Sequence, residues 1–355
     1  MRTLKKGGGQ LIYFLGTRIH IGNFNIGIPP SLFALFQKWL DMSKRGFWFA
    51  LYKSFHLILW RFIPLIYHYR KHRQLIKILS SPQVNLLLYR HPQLAYKYLG
   101  GNYLARGLST KERLEILANH YGFLRNYVVE DFFIQIFERK HVLWLENKEG
   151  YSFSISLSFP HSLHHPGRTV DHEGDLALIF EINSQPAYVY CFTITPTSVM
   201  HKKEESTQYN AEFSNEQALF IGRIQGIAGD FDLMKKTTKL LHDISPSHLL
   251  LNATRAIAFA FNINTIYGVS THAQLSNTPK AGVRELFFDY DYFWLSLEAE
   301  KANHNMFSLP VRDFEKPIGL IKQKHRSRTL EKRRFKEQLR HQVMNTFQKN
   351  LLLPR

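Results

Sequence analysis

Residues 218–244 read ALFIGRIQGIAGDFDLMKKTTKLLHDI, which puts a strand, a glycine turn and a helix in direct succession. The apolar run Ala218–Ile224 predicts a strand, and Gln225–Gly229 predicts a turn. The apolar residues that follow recur with helical spacing. A strand that leads through a tight turn into a helix is typical of a sheet with packed helices, so this unit predicts the architecture of the C-terminal half.

Further strands are predicted on both sides of this unit. Segments before it that alternate, or are rich in β-branched and aromatic residues, are SFSISLSF (152–159), LALIFEI (176–182) and AYVYCFTIT (187–195). After it, the helical segment 246–261 leads to the strand TIYGVST at 265–271, and an aromatic strand is predicted at 286–294. The C-terminal half is therefore predicted to be a mixed, mostly antiparallel sheet with packed helices.

The N-terminal half has a helical pattern from Pro30 to about Leu145. Within it, Ser109 and Glu112 have the spacing of a capping box, in which each side chain bonds the backbone N–H of the other residue. The fold class is therefore predicted to be α+β, with a helical N-terminal half followed by the sheet. The predicted parts are a basic aromatic helical region (1–75), a helical subdomain (76–150), a mixed α/β domain (151–320) and a basic C-terminal helix (321–355).

The chain carries a large excess of positive charge. Its 355 residues include 46 Lys and Arg against 28 Asp and Glu, a formal charge of +18, which favours anionic partners. The single cysteine, Cys191, excludes an internal disulfide and favours a reducing compartment. Arg18 interrupts the first apolar run, which predicts no signal peptide, and Lys53, Arg61 and Pro64 break the most apolar segment, which argues against a membrane-spanning helix. A cytoplasmic location, at most peripheral on the inner membrane, is predicted.

Five separated segments occur in an order that is similar to that of a known family. They are RHPQLAYKYLGGNYLARGLSTKERLEILANHY (90–121), IGRIQGIAG (221–229), SPSHLLLNATRAIAFAFNINTIYGVST (245–271), FDYDYFW (288–294) and KQKHRSRTLEKRR (322–334). Together they resemble the VirK/YbjX family, a bacterial family catalogued as a domain of unknown function. Because five motifs occur in the right order, the similarity is specific, and it runs from about residue 80 to 340.

The resemblance implies a link to the bacterial outer envelope, to surface display of virulence factors and to survival of cationic antimicrobial peptides. It brings no settled catalytic mechanism. The chain departs from the family at Ser247, where a basic residue is expected, and its first 75 residues are expected to lie outside the similarity. The resemblance therefore identifies a family without assigning a reaction.

The turn Gln225–Gly229 is a candidate phosphate site. Backbone N–H groups and a helix N-terminus could present their positive ends to a pyrophosphate, as in the acyl-coenzyme A sites of GNAT-like acyltransferases. The candidate cofactor is acyl-CoA, and the candidate cofactor-binding residues are Arg223, Gln225, Gly226 and Gly229. Asp230 and Asp232 fall in the first turn of the helix, where they would repel a phosphate, so a plain structural turn is the competing interpretation.

Two groups of side chains are candidates for catalysis. Ser270 and His272 lie at the end of the strand TIYGVST, and an imidazole has a pKa suited to a general base. In the predicted aromatic strand, alternation puts Asp289 and Asp291 on one face and Tyr290 on the other, so the two acids could form an acid/base or cation-binding pair. The competing interpretations are a surface-loop histidine, and a strand whose aromatic residues fill the core while its acids face water.

The loop before the strand LALIFEI is rich in groups that can ligate a divalent ion, which are His161, His164, His165, Asp171, His172 and Glu173. Their spacing matches no closed metal signature, so no metal site is predicted. Cys191 lies inside a predicted strand, which favours a small buried residue over a nucleophile.

Two segments pair positive charge with apolar or aromatic residues. Residues 322–349 carry ten Lys or Arg and two Glu, a charge of +8, and an apolar residue recurs at every fourth position from Phe335 to Leu351. This stripe suits a membrane interface or docking on the parent domain. The segment Tyr67–Arg73 and the aromatic residues before it combine side chains that favour the interface with side chains that favour anionic headgroups. The predicted partner is an anionic membrane surface or phosphorylated lipid, with envelope protein cargo and nucleic acid as alternatives.

The function predicted from the sequence is that of a peripheral, cytoplasm-side envelope-maintenance protein. As an enzyme, the protein is predicted to be acyltransferase-like and to act on lipid or envelope-protein substrates. The alternatives are a non-enzymatic adaptor or chaperone for envelope cargo at the inner membrane, and a nucleic-acid-binding protein.

Overall fold

The computed structural model describes residues 63–160, 172–200, 216–226, 231–276 and 288–352, together with the backbone of four short strands near the N-terminus. Its contacts divide the chain into two units, Met1–Gly101 and Asn102–Arg355. The four-part division predicted from the sequence stays a prediction.

The first unit contains a small sheet. Its antiparallel strands pair in chain order and are β1 (Thr3–Leu4), β2 (Ile12–Leu15), β3 (Arg18–Ile21) and β4 (Phe24–Gly27). The sequence pattern predicts no strands here, because segments of two to four residues are too short for alternation to be recognised. The predicted helical stretch from Pro30 to residue 62 lies outside the described residues.

Short helices complete the described part of this unit. They are α1 (Tyr69–Leu79), α2 (Asn85–Arg90) and the 3-10 helix Pro92–Leu99. Helix α1 buries Leu75 and Leu79. The buried side chain of His72 lies on the same helix, and its Nδ1 is 3.1 Å from the hydroxyl of Tyr98. The helical prediction for this segment is confirmed.

The second unit is built on a mixed sheet of eight strands. They are β5 (His141–Lys148), β6 (Tyr151–Ser158), β7 (Leu176–Ile182), β8 (Gln185–Pro196), β9 (Gln217–Gly226), β10 (Thr265–Val269), β11 (Glu300–Ala302) and β12 (Met306–Pro310). Strands β5 to β9 form an antiparallel meander, β10 pairs with β9 in parallel, and β12 and then β11 extend the sheet by antiparallel pairing. The α+β class is confirmed, and so are the strands predicted at 152–159, 176–182, 187–195, 218–224 and 265–271.

Seven helices of this unit are described. They are α3 (Thr110–Tyr127), α4 (Glu130–Glu138), α5 (Thr197–Met200), α6 (Phe231–Leu240), α7 (Pro246–Ala260), α8 (Tyr290–Leu295) and α9 (Gln323–Gln348). The capping box at the start of α3 is confirmed, since Ser109 Oγ accepts from the Glu112 N–H at 3.3 Å and Glu112 Oε2 accepts from the Ser109 N–H at 2.7 Å. The predicted helical pattern ends at Glu138 rather than near Leu145, because β5 begins at His141.

Helices α3 and α7 cover opposite faces of the sheet. Successive side chains of a strand point to opposite faces, so Tyr190 and Thr193 of β8 mark the two sides. The Tyr190 hydroxyl donates to the backbone carbonyl of Ser247 in α7 at 2.7 Å. On the other face, Asp175 is fully buried and accepts from Thr193 Oγ1 at 2.9 Å and from the Tyr121 hydroxyl of α3 at 3.5 Å. The core therefore lies on both sides of β7 to β9.

The basic C-terminal helix α9 packs against α7 and β5. The apolar stripe that faces them consists of Phe335, Leu339, Val343 and Phe347, all buried. Phe335 meets Trp144 of β5 edge to face at 6.1 Å, and Phe347 meets Phe261 at 5.0 Å in the same geometry. Of the two interpretations of this stripe, the structure supports docking on the parent domain.

Candidate functional site at the parallel strand pair

Strand β9 extends beyond the carboxyl end of its parallel partner β10, which ends at Val269. Their last paired residues are Ile221 and Gly268, whereas β9 continues to Gly226. Beyond the pairing, the Val269 carbonyl accepts from Trp294 Nε1 at 2.9 Å. Trp294 lies directly on the strand at Gly268, where a Cβ would come within 2.1 Å of its ring. Helix α8 therefore stands where β10 would otherwise continue alongside β9.

A bulge marks the same point of β9. The pairing with β8 shifts register between Cys191 and Phe192, which leaves Gly222 without an opposite residue. A Cβ at Gly222 would lie 2.2 Å from the Glu173 carbonyl oxygen, so only glycine fits there. This close approach brings the segment before β7 against β9.

A buried ion pair lies beside the bulge. Arg223 donates to Glu173, and both side chains are almost fully buried. The other carboxylate oxygen of Glu173 accepts from Gln274 Nε2 at 2.6 Å and from Ser276 Oγ at 2.5 Å. Arg223 also donates to Gln225 Oε1 at 2.5 Å. Burial lowers the pKa of Arg223, but the Glu173 carboxylate outweighs this and holds the pKa above its usual value, so Arg223 is a permanent cation.

Tyr290 of α8 reaches the strand edge beyond the pairing. Its hydroxyl oxygen accepts from the backbone N–H of Ile224 at 3.1 Å, and its ring is 1% exposed. Burial first, and then the nearby Glu173 carboxylate, raise the pKa of Tyr290 well above its usual value. The phenol is therefore a neutral group that can still donate its proton.

The prediction of an aromatic strand at 286–294 is wrong for the residues that the structure describes, which begin at 288. Residues from Tyr290 onward form α8, and Asp289 caps it by accepting from the Tyr292 N–H at 3.0 Å. Asp291 instead accepts from the Thr271 N–H at 2.8 Å, which ties α8 to the loop after β10. The two acids therefore do not share a strand face.

The other predicted catalytic residues lie in the turn after β10. His272 is exposed, and Ser270 is buried with its Oγ accepting from the Ala273 N–H at 3.2 Å. Of the five predicted catalytic residues, Tyr290 is the one that contacts the separated edge of β9.

The predicted cofactor residues lie at the end of β9, although the turn itself is only partly described. Arg223 and Gln225 belong to the ion-paired cluster, and Gly226 is the last residue of the strand. A Cβ at Gly226 would meet the Tyr188 ring at 3.4 Å, an ordinary contact distance. Gly229 lies outside the described residues.

The histidine-rich loop lies mostly outside the described residues, since residues 161–171 are not described. Of its candidate ligands, Glu173 is engaged by Arg223. Among the residues that the structure describes, no three His, Cys, Asp or Glu side chains are grouped to hold a metal ion. Cys191 is buried in β8, as predicted.

An open pocket adjoins the site on the face that carries α7. It lies between α6, the start of α7 and Tyr188, and its volume is about 430 Å³. On its wall, Ser245 Oγ is 2.7 Å from His248 Nδ1 and 2.9 Å from Ser247 Oγ. Burial, followed by neighbouring cations, lowers the pKa of His248 to about 4, so its ring is neutral. This pocket is named the α6–α7 pocket below.

Sequence reasoning missed Glu173 as the partner of Arg223, and it missed the pocket lined by Tyr188, Ser245 and Ser247. A signal for the first was present, because an arginine inside the apolar strand ALFIGRI needs a buried partner. No comparable local signal marks the α6–α7 pocket, since its residues come from three elements.

The basic aromatic segment of the first unit is exposed at its start. Tyr67 is 83% exposed, Ile66 and Tyr69 are more than half exposed, and Arg70 and Lys71 are exposed beside them. The aromatic residues predicted to accompany it between Trp48 and Arg61 lie outside the described residues. Within the described ranges, no helix combines the length and apolar character needed to cross a bilayer.

The fold and the site define an α+β protein with a mixed sheet. Buried polar residues lie beside β9 where this strand extends beyond its parallel partner β10. The chain belongs to the family described as protein of unknown function DUF535, which it matches over residues 56–345. The resemblance to the VirK/YbjX family is confirmed, and it begins about 20 residues before the predicted boundary of 75.

Two relatives extend this comparison. The uncharacterized protein YbjX of Escherichia coli K12 is 28% identical over 254 residues, which cover 69% of each chain. An uncharacterized protein of Haemophilus influenzae is 28% identical over 155 residues, which cover 43% of this chain and 52% of the relative. No solved structure matches the chain significantly.

Proposed function

We propose that the chain is an acyl-group transferase that binds an acyl-CoA donor at the carboxyl ends of β9 and β10. The observation that carries this proposal is that β9 continues to Gly226 and leads into α6, whereas its pairing with β10 stops at Ile221 and Gly268, one residue before β10 ends. Ligands of sheets with parallel strands bind outside the carboxyl ends of those strands. A helix that follows such a strand adds backbone N–H donors for a pyrophosphate.

The residues at the opening fit such a donor. The Ile224 N–H serves a hydroxyl oxygen, so it can equally serve a carbonyl oxygen of the donor. Gly226 carries no side chain between the strand and the turn. Asp232 is exposed in the first turn of α6 and acts against an anion, so backbone donors rather than side chains carry the expected phosphate contact. When bound, acyl-CoA supplies an activated thioester.

The side chains around the opening have different roles in this proposal. Tyr290 touches the strand edge and can donate a proton there. Glu173 and Arg223 are positioning residues, because their pairing fixes Gln225 and the bulged part of β9. His272 is exposed and therefore remains a candidate general base that must move toward a bound substrate.

The test is direct binding of acetyl-CoA, measured by calorimetry. Gly226→Val is expected to keep the fold, since its Cβ meets Tyr188 at an ordinary distance, and to weaken binding by about tenfold or more, because its methyl groups fill the approach to the turn. Gly319→Val is the matched control, because a Cβ there meets nothing within 4 Å. Unchanged affinity in a folded Gly226→Val protein contradicts the proposal, and so does a wild type that does not bind.

We further propose that the first unit attaches the chain to the cytoplasmic face of an anionic membrane, where it acts on lipid or on envelope protein. The exposed residues Ile66, Tyr67 and Tyr69 beside Arg70 and Lys71 support this, because aromatic side chains settle at the interface while cations meet anionic headgroups. The envelope role implied by the family resemblance would follow from this location. Membrane binding without acyl-CoA binding would favour the adaptor alternative.

Flotation with vesicles tests the attachment. The chain is expected to float with phosphatidylglycerol vesicles and not with phosphatidylcholine vesicles, and added salt is expected to weaken it. Tyr67→Ala combined with Tyr69→Ala should reduce flotation, whereas Tyr89→Ala, at another exposed tyrosine of the same unit, should not. Complete loss of flotation when duplex DNA is added at equal phosphate would favour the nucleic-acid alternative instead.

A further inference from the structure

The α6–α7 pocket has an apolar wall and a cationic rim. Its apolar surface comes from Tyr188 of β8, Met234 of α6 and Pro246 of α7. Lys235 and Lys239, one turn apart on α6, stand at its edge. Its volume of about 430 Å³ lies within the range of about 300–1,000 Å³ that is usual for small-molecule sites.

Among the described residues, no acid forms an ion pair with the lysines at the rim. Both Lys235 and Lys239 are exposed, and neither makes an ion pair with a described residue. The acid of the pocket, Asp243, is paired with Arg328, whose Nε lies 2.9 Å from its carboxylate. Two lysines thus match the charge of about −1.5 to −2 that a phosphate monoester carries.

The pocket also offers hydroxyl donors at a fixed position. Ser245 Oγ is held between His248 Nδ1 at 2.7 Å and Ser247 Oγ at 2.9 Å, and Ser245 and Ser247 both line the pocket. Because the His248 ring is neutral, its single N–H proton can lie on Nδ1 and be donated to Ser245 Oγ, which leaves the Ser245 hydroxyl proton for a phosphate oxygen. Serine hydroxyls and lysine ammonium groups together can serve the three oxygens of a phosphate.

One side chain, Tyr188, lies between the pocket and the end of β9. The Tyr188 ring lines the pocket and lies 3.4 Å from the position of a Cβ on Gly226, at the end of β9. Phe288 stacks edge to face on Tyr188 at 6.5 Å and on Tyr290 at 5.0 Å, which continues the same wall to the phenol. A molecule in the pocket would therefore lie next to one bound at the strand ends.

We propose that the α6–α7 pocket binds a phosphorylated single-chain lipid, with the phosphate on Lys235, Lys239 and the two serines and the chain on Tyr188, Met234 and Pro246. The phosphate matches the unpaired rim charge, and the chain matches the apolar wall. That this lipid is the acyl acceptor rests on the transferase proposed above. In that reaction the lipid hydroxyl oxygen bonds to the thioester carbonyl carbon, the carbon–sulfur bond breaks, and the hydroxyl proton ends on the thiol of the released coenzyme.

Calorimetric binding to the full chain tests the pocket. The probe is a lysophosphatidic acid with a short chain, used below its micelle concentration. The controls are inorganic phosphate and the monoacylglycerol with the same acyl chain. They measure the contributions of the phosphate and of the acyl chain to binding separately. Lysophosphatidic acid is expected to bind about tenfold or more tightly than either control, because both halves of the pocket are used.

Charge variants give the matched comparison. The double variant with Lys235→Met and Lys239→Met is expected to bind lysophosphatidic acid about tenfold more weakly than the wild type. Lys236→Met removes one positive charge from the same helix but outside the pocket, where Lys236 lies over the Tyr151 ring, and it should leave the affinity unchanged. Equal affinity in the double variant and the wild type overturns the proposal, as does a phosphorylated probe that binds no better than the monoacylglycerol.

The two proposals fail in different ways. Retained lysophosphatidic acid binding with no acetyl-CoA binding sinks the transferase and leaves the lipid site standing. Retained acetyl-CoA binding with no lipid binding sinks the lipid site alone. Competition between the two ligands overturns the assignment of the lipid as acceptor, because an acceptor and a donor must be bound together.

Discussion

Two buried carboxylates of the second unit, Glu173 and Asp175, are each held by several hydrogen bonds. Glu173 has no exposed surface, yet its two oxygens receive hydrogen bonds from Arg223, Gln274 and Ser276. Asp175, two residues further on, is held by hydroxyl groups, including that of Tyr103 at 2.5 Å. Such groups are expensive to leave unpaired in a medium of low dielectric constant.

Breaking the Glu173–Arg223 pair should therefore destabilise the fold. Arg223→Met leaves a buried carboxylate without its cation and is expected to lower the free energy of unfolding by about 3–5 kcal/mol. Adding Glu173→Gln removes that charge, so the double variant should lose less than the sum of the single losses. Urea unfolding of all four proteins measures the coupling, and strict additivity would show that the two side chains do not interact.

His248 should make stability depend on pH. Burial, followed by nearby cations, lowers its pKa from 6.5 to about 4, and the charged groups that face it are Lys332, Lys336, Arg255 and Asp313. Because the unfolded chain takes up this proton near pH 6.5 and the folded chain only near pH 4, the stabilisation is complete above pH 6.5 and is lost as the pH falls toward 4. Its size is roughly 3 kcal/mol.

The measurement is urea unfolding between about pH 4.5 and 7.5 for the wild type and His248→Gln. The wild type should lose stability more steeply than the variant as the pH falls. Parallel profiles would show that His248 titrates alike in both states.

At the same scale, sequence reasoning finds residue types more readily than partners. Arg223 stands out as a charge in an apolar strand, but its partner Glu173 is 50 residues away. The chemistry of His272 and Ser270 suits catalysis. That chemistry does not reveal that His272 is exposed or that Ser270 Oγ bonds the backbone of its own turn. Pairing depends on the fold, which local patterns do not contain.

Among the elements, α8 shows how one pattern can fit two structures. Aromatic and acidic residues alternate in FDYDYFW, which is typical of a strand, yet the segment forms a helix of six residues. The side chain of Asp289 decides its start by bonding the Tyr292 N–H, and Trp294 fixes it by packing on Gly268. The longer elements α7 and α9 were predictable because their apolar periodicity continues over several turns.

Helix α9 should contribute to stability through its buried stripe. Leu339→Ala, at a residue 1% exposed, is expected to lower the free energy of unfolding by about 2–5 kcal/mol, because it leaves a cavity against α7 and β5. Leu330→Ala on the same helix, where the leucine is 41% exposed, should cost less than about 1 kcal/mol. Denaturant unfolding compares the two, and equal losses would mean that the stripe is not a packing surface.

For the whole molecule, the sheet joins an antiparallel meander to one parallel step. Sequence reasoning anticipated α6, α7 and β10 after the turn at Gly226, but it took α8 for a strand and did not predict β11 and β12. Nor did it predict where the pairing of β9 with β10 stops, because this depends on α8 and on the contact of Glu173 with the bulge. The eight strands and the helices on both faces all belong to residues 102–355.

The fragment 102–355 should therefore fold by itself. Its two tryptophans, Trp144 on β5 and Trp294 on α8, report on distant parts of the sheet. In the fragment and in each single-tryptophan version, the fluorescence transition in urea is expected to coincide with the far-UV circular dichroism transition, which is the mark of one cooperative unit. Fluorescence and dichroism midpoints that differ within one protein would show that the meander and the parallel step unfold separately.

The backbone N–H of Ile224 donates to one acceptor, the Tyr290 hydroxyl oxygen. An incoming carbonyl that takes this N–H must displace the phenol oxygen, and the displaced phenol keeps a proton to donate beside the new arrival. Occupation of the strand edge and release of a phenol that can donate a hydrogen bond are then a single exchange. Because the bond from Ile224 favours the ionised form of Tyr290, its loss would make the phenol hold its proton more firmly, so the released side chain would act as a hydrogen-bond donor rather than as an acid.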